Sequence, residues 1–308
     1  MQTIKELLSE AEFAEVTRKS NLLGFSKVIF DWTVICGTFY LTAQYPNPLT
    51  IVLAIFILGA RQLGLGVIVH ETGHRTLLTS PALNDFVGNW LAGYWVFSDK
   101  AGYMRAHLQH HQKAGTEDDP DLPNYRDYPI TRERLRRKLT RDLTGQVGWR
   151  RLKSIARSIR RLPELKPATR QYVIRSLGVN LLMLTVLALT GHAWLYALWV
   201  IAFITTHMMV TRIRQIAEHA AVPDLYSPDP RLNTRTLYIS PLERLFIAPH
   251  QVNYHLEHHM IASVPIYRLQ RLHELLRARG YYDDVEFHHG YVDLLRYVTG
   301  NDNSAQMA

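Results

Sequence analysis

The sequence predicts an all-helical (all-α) integral membrane protein with four transmembrane helices and a cytoplasmic, histidine-rich helical cap. Three observations lead to this prediction. Apolar runs long enough to cross a bilayer occur in two pairs, strongly basic segments lie between the pairs, and eight of the fifteen histidines form three clusters outside the apolar runs. Crossing a hydrocarbon core about 30 Å thick takes about 20 helical residues, and each run satisfies that length.

We interpret the 308 residues as a single membrane domain. Its predicted segments are an N-terminal interfacial segment (1–21), a first helix pair (22–69), a cytoplasmic cap with two histidine clusters (70–175), a second helix pair (176–210), a cap segment with the third cluster (211–299) and a disordered tail (300–308). The N-terminal segment lacks the apolar core and cleavage site of a signal peptide, so we expect it to be retained. The single cysteine, Cys36, excludes an intrachain disulfide.

Within the first pair, a short uncharged turn at 44–48 joins the two apolar runs. Asp31 lies inside the first run, where a carboxylate is costly unless it is paired, and the sequence identifies no partner for it. Arg61 lies near the end of the second run, so a helix that leaves the bilayer there would carry the first histidine cluster above the membrane. The later apolar stretch 86–97 is too short to span and is expected to form an interfacial or re-entrant helix.

The charge distribution predicts the orientation of the chain. Residues 100–175 contain 19 Lys or Arg against 8 Asp or Glu, a net charge of +11. Basic loops mark the cytoplasmic side of a membrane, whereas the short turns inside the two helix pairs carry no Lys or Arg. We therefore expect both termini and every histidine cluster in the cytoplasm, and the protein as a multi-pass component of a bacterial inner membrane.

The three histidine clusters have the spacing of metal ligands on helices. They are His70 and His74; His107, His110 and His111; and His255, His258 and His259. Residues at i, i+3 and i+4 share one helix face, and neutral imidazole is a ligand for iron, zinc, copper and nickel. A lone histidine is more often structural, but crowding imidazoles on one face brings desolvation and charge repulsion without structural benefit. Eight ligands are too many for one ion and suit two.

On these motifs the chain resembles the membrane fatty acid desaturase family, a group of histidine-rich di-iron enzymes. The resemblance extends from about His70 to His273, and includes Thr116 and the Asp119-Pro-Asp-Leu sequence after the second cluster and the Pro249-His-Gln-Val-Asn-Tyr sequence before the third. It implies two iron ions held by the eight clustered histidines and by a ninth, His219. His207 and His250 are weaker ligand candidates, and His288 and His289 are expected at the surface.

The di-iron centre itself would be the catalytic group, with polar side chains supporting its ligands. Glu71, Glu218 and Glu257 are candidates to accept ring N–H bonds and fix the histidine tautomers. Asn253 is a candidate to hold a water near an iron.

The activity that the resemblance implies is O2-dependent desaturation of a fatty acyl chain in the membrane. An alkyl chain offers no charge and no acidic proton, so its oxidation needs a metal cofactor that the protein binds and shields from water. The expected substrate is a fatty acyl lipid, an acyl-CoA or an acyl-carrier species. A separate electron donor is also expected, a ferredoxin or small cytochrome with its reductase, because the chain has no cysteine-rich iron–sulfur pattern and no nucleotide-binding fingerprint.

Three alternatives remain open. Hydroxylases and ketolases that act on acyl lipids or carotenoids share the same histidine motifs. The segment His70-Glu71-Thr-Gly-His74 also matches the zinc protease motif, although one zinc would leave most of the clustered histidines without a role. A metal transporter or sensor would be expected to carry ionisable residues along its spans. No motif for nucleic-acid binding is present.

Overall fold

The computed structural model describes residues 7–300, and it is helical over most of that range. Its α-helices are α1 (Glu10–Thr17), α2 (Asn21–Gln44), α3 (Pro48–Gly73), α4 (Pro81–Phe86), α5 (Lys100–Lys113), α6 (Arg132–Leu143), α7 (Gln146–Arg160), α8 (Pro167–Leu189), α9 (Leu195–Ile204), α10 (Thr206–His219), α11 (Pro230–Asn233), α12 (Pro241–Phe246), α13 (His255–Met260), α14 (Leu269–Arg277) and α15 (Tyr291–Tyr297). Two two-residue strands, β1 (Leu237–Tyr238) and β2 (His288–His289), form a parallel pair. The predictions for residues 1–6 and for the tail at 301–308 lie outside the described residues.

Four helical stretches in the described part of the chain are long and apolar enough to cross a membrane. They are Glu10–Gln44, Pro48–Gly73, Pro167–Leu189 and Leu195–His219. The prediction of an all-helical chain with four such helices is therefore confirmed.

Helix α3 lies at the centre of the bundle and connects the apolar spans to the histidine cap. It packs against α2, α9 and α10 and continues without interruption for 26 residues. Asn47 caps its first turn by accepting bonds from the N–H groups of Leu49 and Thr50, at 3.0 and 3.2 Å. Because one continuous helix contains both the apolar run and the first histidine cluster, His70 is fixed relative to the bundle.

The second helix pair is longer than the predicted range of 176–210. Helix α8 begins at Pro167, and its partner runs through α9 and α10 to His219, with an irregular residue at Thr205. The predicted end of this helix at residue 210 was too early because the charged residues Arg212 and Arg214 lower the hydropathy of α10. The structure pairs these two with protein carboxylates, those of Asp142 and Glu218.

The short apolar stretch 86–97 begins earlier than predicted and is not a uniform helix. It starts at Pro81 as α4, becomes a π-helix at Val87–Ala92 and then a 3₁₀ helix at Gly93–Val96. The π-helical turn packs against α3. The segment ends at Phe97, whose φ of 48° reverses the chain into α5.

The described part of the N-terminal segment packs against protein. Leu7, Leu8 and Val16 are buried in the apolar core of the cap. The carboxylates of Glu12 and Glu15 form ion pairs with Arg279 and Arg271 at 2.7 and 3.0 Å. This face, which the sequence placed at the membrane interface, is covered by the cap core and the α14 region.

Asp31 is paired with two residues that are distant in the sequence. Its Oδ1 accepts a bond from Arg61 Nη1 at 2.8 Å, and its Oδ2 lies 2.8 Å from His250 Nε2. Arg61 also donates to the carbonyl of Leu245. All three members of this triad are buried, so Asp31, Arg61 and His250 tie α2 and α3 to the turn that precedes α13.

Reporter fusions provide a test of the orientation. Fusions in the two short interhelical turns, at Asn47 and Gly191, are expected to be exposed on the outer side, and a fusion at Arg150 in the cytoplasm. Alkaline phosphatase and green fluorescent protein activities distinguish the two sides. The same side reported for Arg150 and Gly191 would contradict the four-span topology.

Candidate metal centre

The first histidine cluster combines residues from three helices. It consists of His70 and His74 at the end of α3, His107 and His111 on α5, and His258 on α13. One ring nitrogen from each lies within 4.8 Å of those of the others. The segments that supply them are up to 188 positions apart in the sequence, yet they supply a single set of five imidazoles.

The second cluster lies beside the first and combines four histidines. They are His110 on α5, His219 at the end of α10, and His255 and His259 on α13, again with ring nitrogens within 4.8 Å of one another. The rings of His111 and His259 are stacked with their centroids 4.4 Å apart, so the two clusters are in direct contact. All nine histidines that the sequence nominated are therefore brought together in two adjacent sets.

Helical spacing explains how each H-x-x-H-H motif supplies both clusters. On α5 the i, i+4 pair His107 and His111 faces the first cluster, and His110 faces the second. On α13 the assignment is reversed, because His255 and His259 face the second cluster and His258 the first. Residues at i and i+4 lie almost above one another, whereas i+3 lies on the other side of that line.

Partners on the outer nitrogen orient several of the rings. His70 Nδ1 lies 2.9 Å from Glu71 Oε1, His110 Nδ1 lies 2.8 Å from Asp119 Oδ1, and His219 Nδ1 lies 3.0 Å from the carbonyl oxygen of Asn233. Each acceptor fixes the proton on Nδ1 and leaves the lone pair on Nε2. The Nε2 atoms of these rings therefore point their lone pairs into the clusters.

The packing of the Nε2 atoms matches a set of metal ligands. His111 Nε2 lies 3.0 Å from both His107 Nε2 and His258 Nε2, and a ring can donate at most one proton along these contacts. His70 Nε2 is buried and has no hydrogen-bond partner among the described residues. Buried nitrogen lone pairs that converge without donors are costly unless a cation binds them. The donor set, imidazole alone, fits iron.

The environment favours the neutral form of several clustered histidines. Burial, with His74 and His110 nearby, lowers the pKa of His111 to about 3. Burial also lowers the pKa values of His258 and His259 well below the ordinary histidine value. Because protonation would remove the lone pair, these shifts favour the form of the ring that binds a metal.

Two of the nominated supporting carboxylates, Glu71 and Glu218, contact the clusters. The second oxygen of Glu71 accepts from Thr76 Oγ1 at 2.9 Å and from the Ile266 N–H at 3.0 Å. Glu218 accepts from Arg214 at 2.6 Å and lies 3.4 Å from His255 Nδ1.

Of the other two nominated residues, Glu257 has different surroundings from those expected, whereas Asn253 stays a candidate because its buried Oδ1 has no partner among the described residues. Glu257 accepts from His273 Nδ1 at 2.6 Å and Tyr282 OH at 2.7 Å, and also from Thr236. None of these partners is a cluster histidine, so Glu257 links α13 to neighbouring segments of the cap core and does not orient a ligand of either cluster. Asn253 donates to the carbonyl of Leu237 at 2.9 Å and links its loop to β1.

Asp119 is a functional candidate to which the sequence motifs gave no role. It accepts the ring N–H of His110 and, on its other oxygen, the hydroxyl of Tyr125. Helical periodicity could not reveal this contact because Asp119 follows α5 in an irregular turn. Its position soon after the second cluster, in the quoted Asp-Pro-Asp-Leu sequence, was the available signal.

The weaker ligand candidates and the expected surface histidines lie outside both clusters. His250 binds Asp31, and His207 stacks on Phe203 with ring centroids 5.6 Å apart. His288 is buried and contacts Asp293 at 3.1 Å, whereas His289 is exposed. The expectation of two surface histidines is therefore correct for His289 and wrong for His288, which β-pairing with β1 encloses.

A polar cavity of about 230 Å³ borders both clusters. Histidines of each cluster line it, together with the ion pair of Arg214 and Glu218 and the side chains of Tyr103 and Asp121. The clusters therefore face polar side chains in this cavity, whereas the helix bundle below them is apolar.

Comparison with known proteins identifies the family. The fatty acid desaturase family model matches residues 46–291. The chain is 24% identical to a dihydrorhizobitoxine desaturase of Bradyrhizobium elkanii over 86% of its own length and 78% of the relative's. It is also 24% identical to a beta-carotene ketolase of Paracoccus sp. (strain PC1), over 82% of this chain and 91% of the relative, and 28% identical to that of strain N81106 / MBIC 01143, over 67% and 72%. With the family match extending over most of the sequence and containing all nine histidines, the chain belongs to the fatty acid desaturase family.

Proposed function

We propose that the protein is a membrane desaturase that holds two irons in the paired histidine clusters and removes two hydrogens from an acyl chain with O2. The observation that supports this most directly is the division of nine imidazoles into two adjacent sets, of five and four. One set would bind one ion, and the contact between His111 and His259 would keep the two ions close together. The cofactor would supply the O2-dependent oxidation of an unactivated carbon chain, which no amino-acid side chain can perform.

The protein's own contribution is to orient the histidine ligands and to enclose the metal site. Glu71 and Asp119 fix the rings of His70 and His110, and α3, α5 and α13 hold the ligands on rigid helices. His70, His107, His110 and His258 are all buried, which limits the access of water to these rings. A fatty acyl chain would approach from the bilayer, carried on a lipid, on CoA or on an acyl carrier.

The protease alternative is disfavoured by the contacts of Glu71. A general base must be free to take a proton from water, but the Glu71 carboxylate is buried and accepts from His70, Thr76 and the Ile266 backbone. The metal transporter is disfavoured by the pairing of Asp31, a carboxylate inside the first apolar run. Asp31 binds Arg61 and is therefore not free to carry an ion.

A ketolase or hydroxylase is the second candidate, and two beta-carotene ketolases among the relatives support it. The two outcomes differ in their products. Desaturation uses O2, two electrons from a donor and two from the substrate to give a double bond and two waters, whereas hydroxylation leaves one oxygen atom in the product.

We expect product analysis to show a mass loss of two hydrogens in an acyl chain. Lipids from cells with and without the protein, grown under ¹⁸O2, can be compared by mass spectrometry. A main product that gains one ¹⁸O atom would move the protein to the hydroxylase and ketolase class while leaving the iron site in place.

We further propose that a separate, acidic electron donor docks near α6 and α7, where the basic residues of the cap are concentrated. Arg136 and Arg137 are exposed on α6, whereas Lys138 packs over the ring of Tyr128 at 4.7 Å and is not a free docking group. Attraction between opposite charges accelerates association and is screened by salt.

Reversing the charge of Arg136 and Arg137 to glutamate is expected to lower donor-dependent turnover by about tenfold at low salt. Iron content should be unchanged, and the difference should shrink as salt is raised. Lys166→Glu with Arg170→Glu, exposed in the same basic stretch but at the start of α8, provides the matched control. Equal losses in both double variants, or an equal loss with a small-molecule reductant, would argue against donor docking at α6.

A further inference from the structure

A second cavity, of about 560 Å³, has no cluster histidine in its lining. Its lining includes Lys27 from α2, Arg61 from α3 and Arg244 from α12. We propose that it binds the phosphate headgroup of an anionic phospholipid.

The positive charge of this cavity is only partly compensated. Three cationic side chains line it, and its lining contains no carboxylate. Asp31 neutralises Arg61 from behind, but within residues 7–300 neither Lys27 nor Arg244 forms an ion pair. Cations gathered beside a membrane span attract an anion, because the local dielectric is low and water is scarce.

The buried guanidinium of Arg61 provides an independent indication of a ligand. Arg61 is 1% exposed, and its two terminal nitrogens donate to Asp31 and to the Leu245 carbonyl. Its Nε–H is buried and has no partner among the described residues. A buried donor normally has an acceptor, and an anionic oxygen in the cavity that Arg61 lines would provide one.

The rim of the cavity indicates an amphiphile rather than a soluble ion. Phe30 lines the cavity and is 47% exposed, and Leu242, beside the lining residue Pro241, is 69% exposed. Acyl chains would cover these side chains while the headgroup lies on the cations. Lys27, Arg244 and the Arg61 Nε–H could all donate to the oxygens of one phosphate, and the test below separates this anion from a free fatty acid.

The position of the cavity connects a bound lipid to the metal centre. His250 and Gln251 line it and occupy the left-handed region, with φ of 59° and 71°. The side-chain contacts of His250 with Asp31 and of Gln251 with Gln270 help to hold this turn, which leads into the histidines of α13. A headgroup bound here would add contacts to the turn, so we expect it to stabilise the cap as well as the bundle.

The test uses the full chain in nanodiscs of dioleoyl phosphatidylcholine, with and without dioleoyl phosphatidylglycerol. Phosphatidylglycerol is expected to raise the thermal unfolding midpoint by roughly 2–3 °C, as for a ligand at about ten times its dissociation constant. Lys27→Gln with Arg244→Gln should remove this shift and weaken lipid retention in native mass spectrometry about tenfold or more. Both residues lack ion pairs, so this variant should match the wild type in phosphatidylcholine alone.

Arg136→Gln with Arg137→Gln removes the same charge elsewhere and should keep the lipid-induced shift. The proposal is overturned if phosphatidylglycerol gives no shift in the wild type, or if both double variants lose it equally. It is also overturned if oleate or inorganic phosphate at equal concentration reproduces the shift through Lys27 and Arg244. A shift with oleate would identify the cavity as a carboxylate site, and a shift with inorganic phosphate would identify it as a site for a soluble anion.

Discussion

Replacing His258 with alanine is expected to lower iron affinity by more than about 100-fold and to abolish turnover. His258 Nε2 lies 3.0 Å from His111 Nε2 at the centre of the five-histidine cluster, and its ring centroid is 4.5 Å from that of His70. Loss of a residue that only orients a ligand costs 10- to 100-fold in metal affinity, so loss of a ligand should cost more. Iron per chain, measured by plasma emission spectrometry, and product formation should fall together.

His192→Ala is the matched control for this prediction, because His192 lies in the short turn between α8 and α9, outside both clusters. It should retain about two irons per chain and full activity. A His258→Ala protein that stays active, or a wild type that is active with one zinc and no iron, would contradict the di-iron assignment.

Replacing Asp31 with asparagine is expected to lower the free energy of unfolding by about 3–5 kcal/mol, the usual cost of leaving one member of a buried ion pair unpaired. Arg61 would keep its charge in a buried position and lose its only carboxylate partner among the described residues. The thermal midpoint should fall accordingly when it is measured in detergent without anionic lipid.

The double variant Asp31→Asn with Arg61→Met tests the cause of that loss. It removes the stranded charge and should recover more than half of the stability. If the single and double variants are equally unstable, the contribution of Asp31 comes from its contact with His250 and not from the ion pair.

The spans and the histidine clusters were predictable because each depends on residues that are close together in the sequence. A long apolar run such as that in α3 predicts a membrane-spanning helix, and the i, i+3, i+4 spacing on α5 and α13 predicts that the histidines share one helix face. The spacing did not show that each motif divides its ligands between two clusters. That division depends on how α5 and α13 face one another.

The partners of buried polar groups were not predictable, because they join distant parts of the chain. Asp31 contacts His250 across 219 positions, and no periodic pattern relates the two. The same limit applies to Glu257, whose place in a histidine motif suggested a partner among the ligands. The structure gives it His273, Tyr282 and Thr236 instead, because an i+2 residue on α13 points away from the face of His255 and His259.

If the two clusters hold metals as proposed, the division of each motif between them has a consequence for metal loading. Helices α5 and α13 each contribute to both clusters, so an ion bound at one cluster would restrain the rotation and spacing of the two helices at the other. Most of the conformational entropy cost of ordering the two helices would then fall on the first ion, and the second would meet imidazoles that are already in place. Loading and loss should consequently be cooperative, with the empty and the fully occupied forms dominating over the form that holds a single ion.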